Sequence, residues 1–241
     1  MLVEICANSF ESAKAAQDGG ADRIELCTEL SVGGLTPSHG LIEKVMAELT
    51  IPVHVLIRPR SGNFTYSQSE VEVMLKDIAY CKKLWCSGVV CGALTTDSTI
   101  DVEITQHLLY ASQGLEFTFH RAFDWCKDPM SEIKSLGRMG VDRILSSGQQ
   151  AKAIDGIDVL KDLKNSTKGL IEIMPGGGVN SENVMDFKKA GFESVHLSAT
   201  VKKQLLKQTP KVSMHSAAFF EEGIVATSNV ETIKEIIALL A

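Results

Sequence analysis

The 241-residue sequence has no apolar run long enough to cross a membrane, no excess of positive charge and no Cys-x-x-Cys pair. A membrane span needs about 18 consecutive apolar residues. A nucleic-acid-binding protein usually has a basic face, whereas the net charge here is −6. No basic region precedes the apolar residues at the start of the chain, which argues against a secretory signal peptide. We therefore expect a cytoplasmic protein with neither a membrane nor a nucleic acid as partner.

Cysteine is present but not in a pattern typical of disulfide frameworks or zinc sites. In a cytosolic chain of this size we expect reduced thiols, and the simplest interpretation of each is a small buried apolar residue. The six cysteines are Cys6, Cys27, Cys81, Cys86, Cys91 and Cys126.

Short apolar segments alternate eight times with amphipathic segments, from residues 2–8 to residues 194–198, and a closing helix is predicted over residues 232–240. This alternation is typical of a parallel sheet covered by helices. Eight such units in about 250 residues predict a single (β/α)8 TIM barrel domain over residues 1–241. The alternative is an open doubly wound sheet, but no Gly-x-Gly-x-x-Gly motif follows the first segment. In a (β/α)8 barrel the site lies at the C-terminal ends of the strands.

Ionisable residues interrupt these strands at positions that alternation directs into the barrel lumen. A buried ion-pair network would explain them, but it gives little net stability, and apolar layers would fill the lumen at lower cost. A functional pocket is the interpretation we prefer. The inward positions include Glu4, Cys6, Glu25, Cys27, His54, Arg58, Thr118, His120, Glu172 and His196.

Three stretches at strand ends suggest an anion site with an acid or base beside it. Two arginines after strand three suit a carboxylate or phosphate, a histidine at the end of strand five could transfer protons, and glycines after strand seven lie where barrels often bind phosphate. A simple tight turn explains the glycines equally well. The anion-binding candidates are Arg58, Arg60, Gly177, Gly178 and Ser198, and the catalytic candidates are His120, Glu25, Glu4 and Asp124.

The sequence resembles the CutC family of copper homeostasis proteins over all eight strands. The resemblance rests on Glu-Ile-Cys-Ala-Asn-Ser at 4–9, Gly-Ala-Asp-Arg-Ile-Glu-Leu-Cys at 20–27, Arg-Pro-Arg at 58–60, Phe-His-Arg-Ala-Phe-Asp at 119–124 and Gly-Gly-Gly-Val-Asn at 176–180. It implies a (β/α)8 barrel and copper handling in the cytosol, with Cys6 and Cys27 as Cu(I) ligands. One departure is Gln149, where the family pattern has a second glycine; this residue could narrow an anion pocket.

Two functions remain open from the sequence. In the first, the protein binds Cu(I) through Cys6 and Cys27, since soft thiolates suit this ion. In the second, it is an enzyme for a small phosphorylated or carboxylated metabolite, with the anion on the two arginines and with His120 as acid or base, partnered by Glu25 or Glu4. A Schiff-base aldolase is disfavoured because strands four to seven contain no lysine. A homodimer is the expected assembly, because symmetric homo-oligomers are common.

Overall fold

The structure is a computed structural model that describes residues 1–200. Within this part, eight strands alternate with seven α-helices, and short 3-10 helices lie at Leu30–Val32 and Arg121–Trp125. The predicted closing helix over residues 232–240 and the end of the predicted single domain lie outside the described residues. The elements are β1 (Leu2–Ala7), α1 (Phe10–Asp18), β2 (Arg23–Leu26), α2 (His39–Glu48), β3 (Val53–Leu56), α3 (Gln68–Lys83), β4 (Gly88–Cys91), α4 (Val102–Ala111), β5 (Glu116–Phe119), α5 (Pro129–Met139), β6 (Arg143–Ser146), α6 (Ile157–Thr167), β7 (Glu172–Pro175), α7 (Val184–Lys189) and β8 (Ser194–Leu197).

All eight strands pair in parallel in one sheet, whose order is β7-β6-β5-β4-β3-β2-β1-β8. A parallel bridge between Gly176 and His196 joins the two ends of this order and brings the sheet close to a full barrel. The predicted (β/α)8 fold is therefore confirmed. No helix within residues 1–200 has the length and apolar character needed to span a membrane.

The helix ends follow local sequence signals. Ser67 and Glu70 form a reciprocal capping box at the start of α3, as their spacing predicts. Asp128 caps α5, whose first residue is Pro129. Gly140 ends the same helix with φ 87°, a left-handed conformation that favours glycine. These signals determine where the chain turns back into the next strand.

The apolar core has two parts, and side-chain alternation in the strands separates them. The large cluster, which includes Ile24, Val55 and Phe117, lies between the barrel and its helices. A small cluster of Cys6, Cys27, Leu56 and Val90 lies apart from it and includes the inward positions of β1, β3 and β4. The barrel therefore has an apolar outer wall and a lumen with few apolar side chains.

Strands three and five are shorter at their C-terminal ends than the sequence predicts, since the predicted ranges are residues 52–58 and residues 116–121. β3 ends at Leu56 and β5 at Phe119, so Arg58 and His120 follow the strands rather than belong to them. Hydrogen bonds to the neighbouring strand continue just past these ends, since the N–H of Ile57 donates to the carbonyl of Val90 and that of His120 to the carbonyl of Cys91.

Candidate functional site

The half of the lumen near the N-terminal ends of the strands, here called the lower lumen, is filled by ion pairs. Glu4 is fully buried and accepts a hydrogen bond of 2.5 Å from Nε of Arg23. Arg143 donates to Glu172 at 2.6 Å, to Glu116 at 3.0 Å and to the hydroxyl of Thr118 at 3.1 Å. Each charged group thus has a partner of opposite sign, as a buried charge requires.

His54 lies among these pairs, and its imidazole ring is uncharged at neutral pH. The nearest opposite charge is Oε2 of Glu116, 3.6 Å from Nε2, which is beyond a good hydrogen bond. Burial, together with the charges of Arg23 and Arg143, lowers the pKa of His54 to about 4 although Glu4 and Glu116 act in the other direction. Because His54 lies early in its strand, the sequence predicts a hydrogen-bonded core histidine rather than a site residue; the ring is buried, but neither ring nitrogen has a hydrogen-bond partner among the described residues.

His196 connects the lower lumen to the half near the strand C-termini, here called the upper lumen. Its Nδ1 lies 2.8 Å from Oε1 of Glu4. Burial alone would lower the pKa of His196, but the carboxylates of Glu25 and Glu4 outweigh this effect and raise the pKa. The pKa of Glu4 is in turn held well below its usual range, because the hydrogen bond and charge of His196 and the charge of Arg23 overcome the effect of burial.

Two thiols meet in the upper lumen, as the sequence predicted for inward cysteines on adjacent strands. The Sγ atoms of Cys6 and Cys27 are 3.5 Å apart, and Cys6 Sγ lies 3.6 Å from Oε1 of Glu25. The hydrogen bond with Cys27, together with burial and the charge of Glu25, raises the pKa of Cys6 well above its usual value. In this arrangement Cys6 is a protonated thiol at neutral pH.

A metal ion would find three donor atoms together here. One ligand atom each from Cys6, Glu25 and His196 lie within 4.8 Å of one another, and all three residues are buried. Thiolate–metal bonds are about 2.3 Å, so sulfur atoms 3.5 Å apart can also reach a common ion. Two thiols and an imidazole are the soft and borderline donors that suit Cu(I), whereas the Glu25 oxygen is a harder ligand.

Above the thiols lies a cavity of about 240 Å³ at the C-terminal ends of the strands, where the fold predicts a site. Its wall brings together most of the candidates from the sequence. The lining includes Cys6, Glu25, Arg58, His120, Gly177, Gly178 and Ser198, and it also includes Arg121, Phe64 and His196. Two buried side-chain atoms in this wall, Oε2 of Glu25 and Nε2 of His120, have no hydrogen-bond partner in the described part of the chain.

The two arginines proposed for the anion have different surroundings. Arg58 lines the cavity, but its guanidinium donates to the carbonyl groups of Val32, Gly34 and Gly62 and so fastens two loops together. Arg60 forms an ion pair with Glu70 and does not line the cavity. The proposed role of Arg60 therefore has no support in its position, because its carboxylate partner and loop carbonyls already occupy the guanidinium.

Two of the catalytic candidates lie outside the cavity wall. Glu4 is below it, among the ion pairs described above. Asp124 accepts hydrogen bonds from Ser146, from Ser147 and from Nε of Arg121. Asp124 therefore orients the guanidinium of Arg121.

Sequence reasoning missed Arg23, Arg143 and Arg121. Arg23 and Arg143 have the same parity as Glu25 and Leu145, which lie on the same strands and line the cavity, so alternation alone would have placed both arginines in the lumen. Arg121 directly follows His120, just after strand five, and only the structure shows that it turns toward the cavity. Gln149 does not narrow the pocket: it adopts φ 60°, and its side chain donates to the carbonyl of Cys126.

The sequence of this chain is similar to proteins of one known family. The family model described as the CutC family matches residues 1–201. The chain belongs to the CutC family. A family protein CutC from Glaesserella parasuis is 41% identical over 242 residues, which cover 100% of this chain and 99% of that protein.

Two further members of the CutC family are similar to this chain. The human protein named copper homeostasis protein cutC homolog is 45% identical over 199 residues, which cover 82% of this chain and 73% of the human protein. The crystal structure of a CutC protein from Streptococcus agalactiae has a TM-score of 0.78 at 37% identity and covers 82% of this chain and 98% of that one. The names of these two relatives refer to copper homeostasis. The barrel fold is common to the Streptococcus agalactiae protein and this chain.

Proposed function

We propose that this member of the CutC family binds Cu(I) through Cys6 and Cys27, with His196 as a further donor. The observation that carries the proposal is the 3.5 Å separation of the two buried sulfur atoms beside Glu25 and His196. The copper homeostasis name of the human relative supports the same ion. Copper binding would replace thiol protons, since only thiolates ligate strongly.

The proposal extends to the cytosol as the location and a homodimer as the assembly. All six cysteines are free and buried thiols, a state that supports a reducing compartment.

A Cu(I) titration tests this function. The protein is titrated under anaerobic, reducing conditions against a competing chelator, and the wild type is compared with Cys6→Ser/Cys27→Ser. We expect about one copper per chain in the wild type and none in the double variant. Equal copper retention by both would refute the proposal.

The chain offers a matched control for the titration. Cys81 and Cys86 are also buried, and a hydrogen bond between their thiols raises the pKa of Cys81. They lie outside the lumen, in the outer apolar cluster. A Cys81→Ala/Cys86→Ala variant should retain the copper, whereas loss of copper in this variant alone would assign it to the wrong thiol pair.

A second function is favoured by the cavity itself. A copper carrier needs no cavity of about 240 Å³ with a buried imidazole and a buried carboxylate oxygen that lack protein partners. A pocket with a few convergent polar groups is typical of a small-molecule site. We propose that the same end of the barrel acts on a small phosphorylated or carboxylated metabolite, with Glu25 and His120 toward the reacting atoms and Gly177, Gly178 and Ser198 toward the anion.

A thermal-shift screen of small phosphorylated and carboxylated metabolites on metal-free protein tests the second function. A binder should raise the melting temperature of the wild type and not that of a variant with the cavity filled, such as Gly177→Leu. If no compound shifts the melting temperature, the enzyme proposal fails and the copper proposal is unaffected.

A further inference from the structure

A backbone hydrogen bond determines which of the two ring nitrogens of His120 carries the proton. The N–H of Ala122 donates to Nδ1 of this histidine at 3.2 Å. A nitrogen that accepts a hydrogen bond carries no proton, so the proton of the neutral ring is on Nε2. Protonating Nδ1 as well would set two N–H groups against each other. The fold therefore favours the neutral ring with one fixed donor.

The environment of the ring reinforces this state. His120 is only 5% exposed, and burial together with the charge of Arg58 lowers its pKa to about 3. Gly92 permits the close packing, because a Cβ atom there would lie 2.9 Å from Nδ1. His120 lines the cavity, and its Nε2–H group is buried and has no acceptor among residues 1–200. Such a donor is suited to an oxygen atom supplied by a ligand.

Another part of the same wall is suited to a negative charge. Gly177 and Gly178 have φ of 110° and 72°, and no hydrogen bond from their N–H groups to another described residue is found. Arg121 packs against this turn, since a Cβ atom on Gly177 would lie 3.3 Å from its Cζ atom. Asp124 and Ser147 hold the guanidinium through Nε and Nη2, which leaves Nη1 toward the turn. Backbone N–H groups beside an arginine are a common anion-binding arrangement.

We propose that the cavity binds a small anionic carbonyl compound, whose carbonyl oxygen accepts a hydrogen bond from Nε2 of His120 while Arg121 and the Gly177–Gly178 turn hold its phosphate or carboxylate. This inference rests on the second function proposed above. It gives His120 a different role from the proton transfer expected from the sequence. A neutral imidazole donor polarises a carbonyl group and stabilises the negative charge that develops on its oxygen. The cavity is smaller than the 300–1,000 Å³ of pockets for drug-sized ligands, which suits a metabolite of a few carbon atoms.

Pairs of ligands that differ only at the carbonyl group test the proposal. Binding to metal-free protein is measured by calorimetry for dihydroxyacetone phosphate and sn-glycerol 3-phosphate, and for 2-oxoglutarate and 2-hydroxyglutarate. Inorganic phosphate serves as the anion alone. We expect the oxo member of at least one pair to bind at least tenfold more tightly than its hydroxy partner.

Variants separate the two ends of the ligand. His120→Leu should abolish the preference for the oxo compound and leave phosphate binding within twofold, whereas His120→Gln, which keeps a side-chain N–H, should restore part of the preference. Arg121→Met should weaken both members of a pair by about the same factor, tenfold or more. His107→Leu is the matched control, because this histidine is exposed on α4 and should change neither property.

The outcomes distinguish this inference from the function on which it rests. If none of the five compounds binds, the anionic-metabolite function fails together with the inference. If they bind with equal affinity for oxo and hydroxy members, the function stands and the role of His120 is overturned. Ring nitrogen NMR provides an independent check: a His120 ring that is cationic at pH 6, or that carries its proton on Nδ1, would also overturn the inference.

Discussion

The lower and upper halves of the lumen both bury ionisable side chains, but only the lower half neutralises them internally. There, Glu4, Arg23, Arg143 and Glu172 meet partners of opposite charge at 2.5–2.8 Å. In the upper half, one oxygen of Glu25 and one nitrogen of His120 are buried with no partner in the described residues. A buried polar atom without a partner costs about 1–3 kcal/mol. In the lower half the neutral ring of His54 also lacks a hydrogen-bond partner within residues 1–200, but every charged group there is paired, whereas the unpartnered atoms of the upper half belong to residues that line the cavity. The lower half is thus organised for stability and the upper half for binding, and three changes test this division.

The largest effect is expected from breaking the most buried ion pair. Arg23→Met leaves the fully buried Glu4 with His196 as its main partner. Removing one member of a buried pair costs about 3–5 kcal/mol, so the free energy of unfolding in urea should fall by that amount. Lys14→Met, which breaks an exposed pair with Asp18 on α1, should cost under about 0.5 kcal/mol. Similar losses in both variants would contradict a special role for the lower lumen.

A second, smaller effect is the loss of protein stability at acidic pH that His54 causes. The folded-state pKa of about 4 lies below the usual 6.5, so the unfolded chain binds a proton first as the pH falls. The stability is fully present above about pH 6.5 and is lost progressively toward pH 4; the loss from this residue reaches about 2 kcal/mol at pH 5. His196 acts in the opposite direction because its pKa is raised. The contribution of His54 is therefore obtained by comparing the pH dependence of the unfolding free energy in the wild type and in a His54 variant.

The measurement compares the free energy of unfolding at pH 7.5 and pH 5.0 for the wild type and His54→Gln. The decrease between the two pH values should be smaller in the variant by about 2 kcal/mol. His39→Gln serves as a control, because this histidine is exposed on α2 and its pairing with Asp77 is long, at 3.7 Å. An unchanged pH dependence in His54→Gln would show that this ring is not held neutral.

The smallest effect is expected in the upper lumen. Burial raises the pKa of Glu25, and Oε2 of this residue has no partner among residues 1–200. Glu25→Gln removes a carboxylate whose burial is only partly offset by the charges of His196 and Arg23, so the unfolding free energy should stay within about 1 kcal/mol of the wild type or rise slightly. A loss as large as that of Arg23→Met would show that Glu25 belongs to the stabilising network.

Much of the fold was predictable because its signals are local. The capping box of α3 and the glycine stop of α5 lie where the sequence predicts them. The alternation rule also placed Cys6, Glu25 and Cys27 on inward positions of neighbouring strands. The strand ends were less predictable from local signals, and strand three ends two residues before Arg58.

Side-chain partners beyond the strands were not predictable by the same rule. Arg60 and Arg121 have the same charge, and both lie just beyond the C-terminal end of a strand. Arg60 pairs with Glu70, ten residues later in the chain, while Arg121 reaches Ser147, directly after the next strand of the barrel. Which arginine faces the cavity is decided by these partners, and Arg121 meets Ser147 only when neighbouring strand–helix units pack together.

The sequence by itself determined the strand–helix alternation, the (β/α)8 class and the inward position of the thiols. These features depend on periodicity, caps and side-chain parity, which act over a few residues. Only the tertiary structure decided that Arg23 and His196 hold both oxygens of Glu4 while Oε2 of Glu25 has no partner in the described residues, and that the Ala122 N–H fixes the proton of His120 on Nε2. Those outcomes depend on distances between atoms of different strands and loops, because hydrogen bonds and ion pairs between buried groups require contact within about 3 Å.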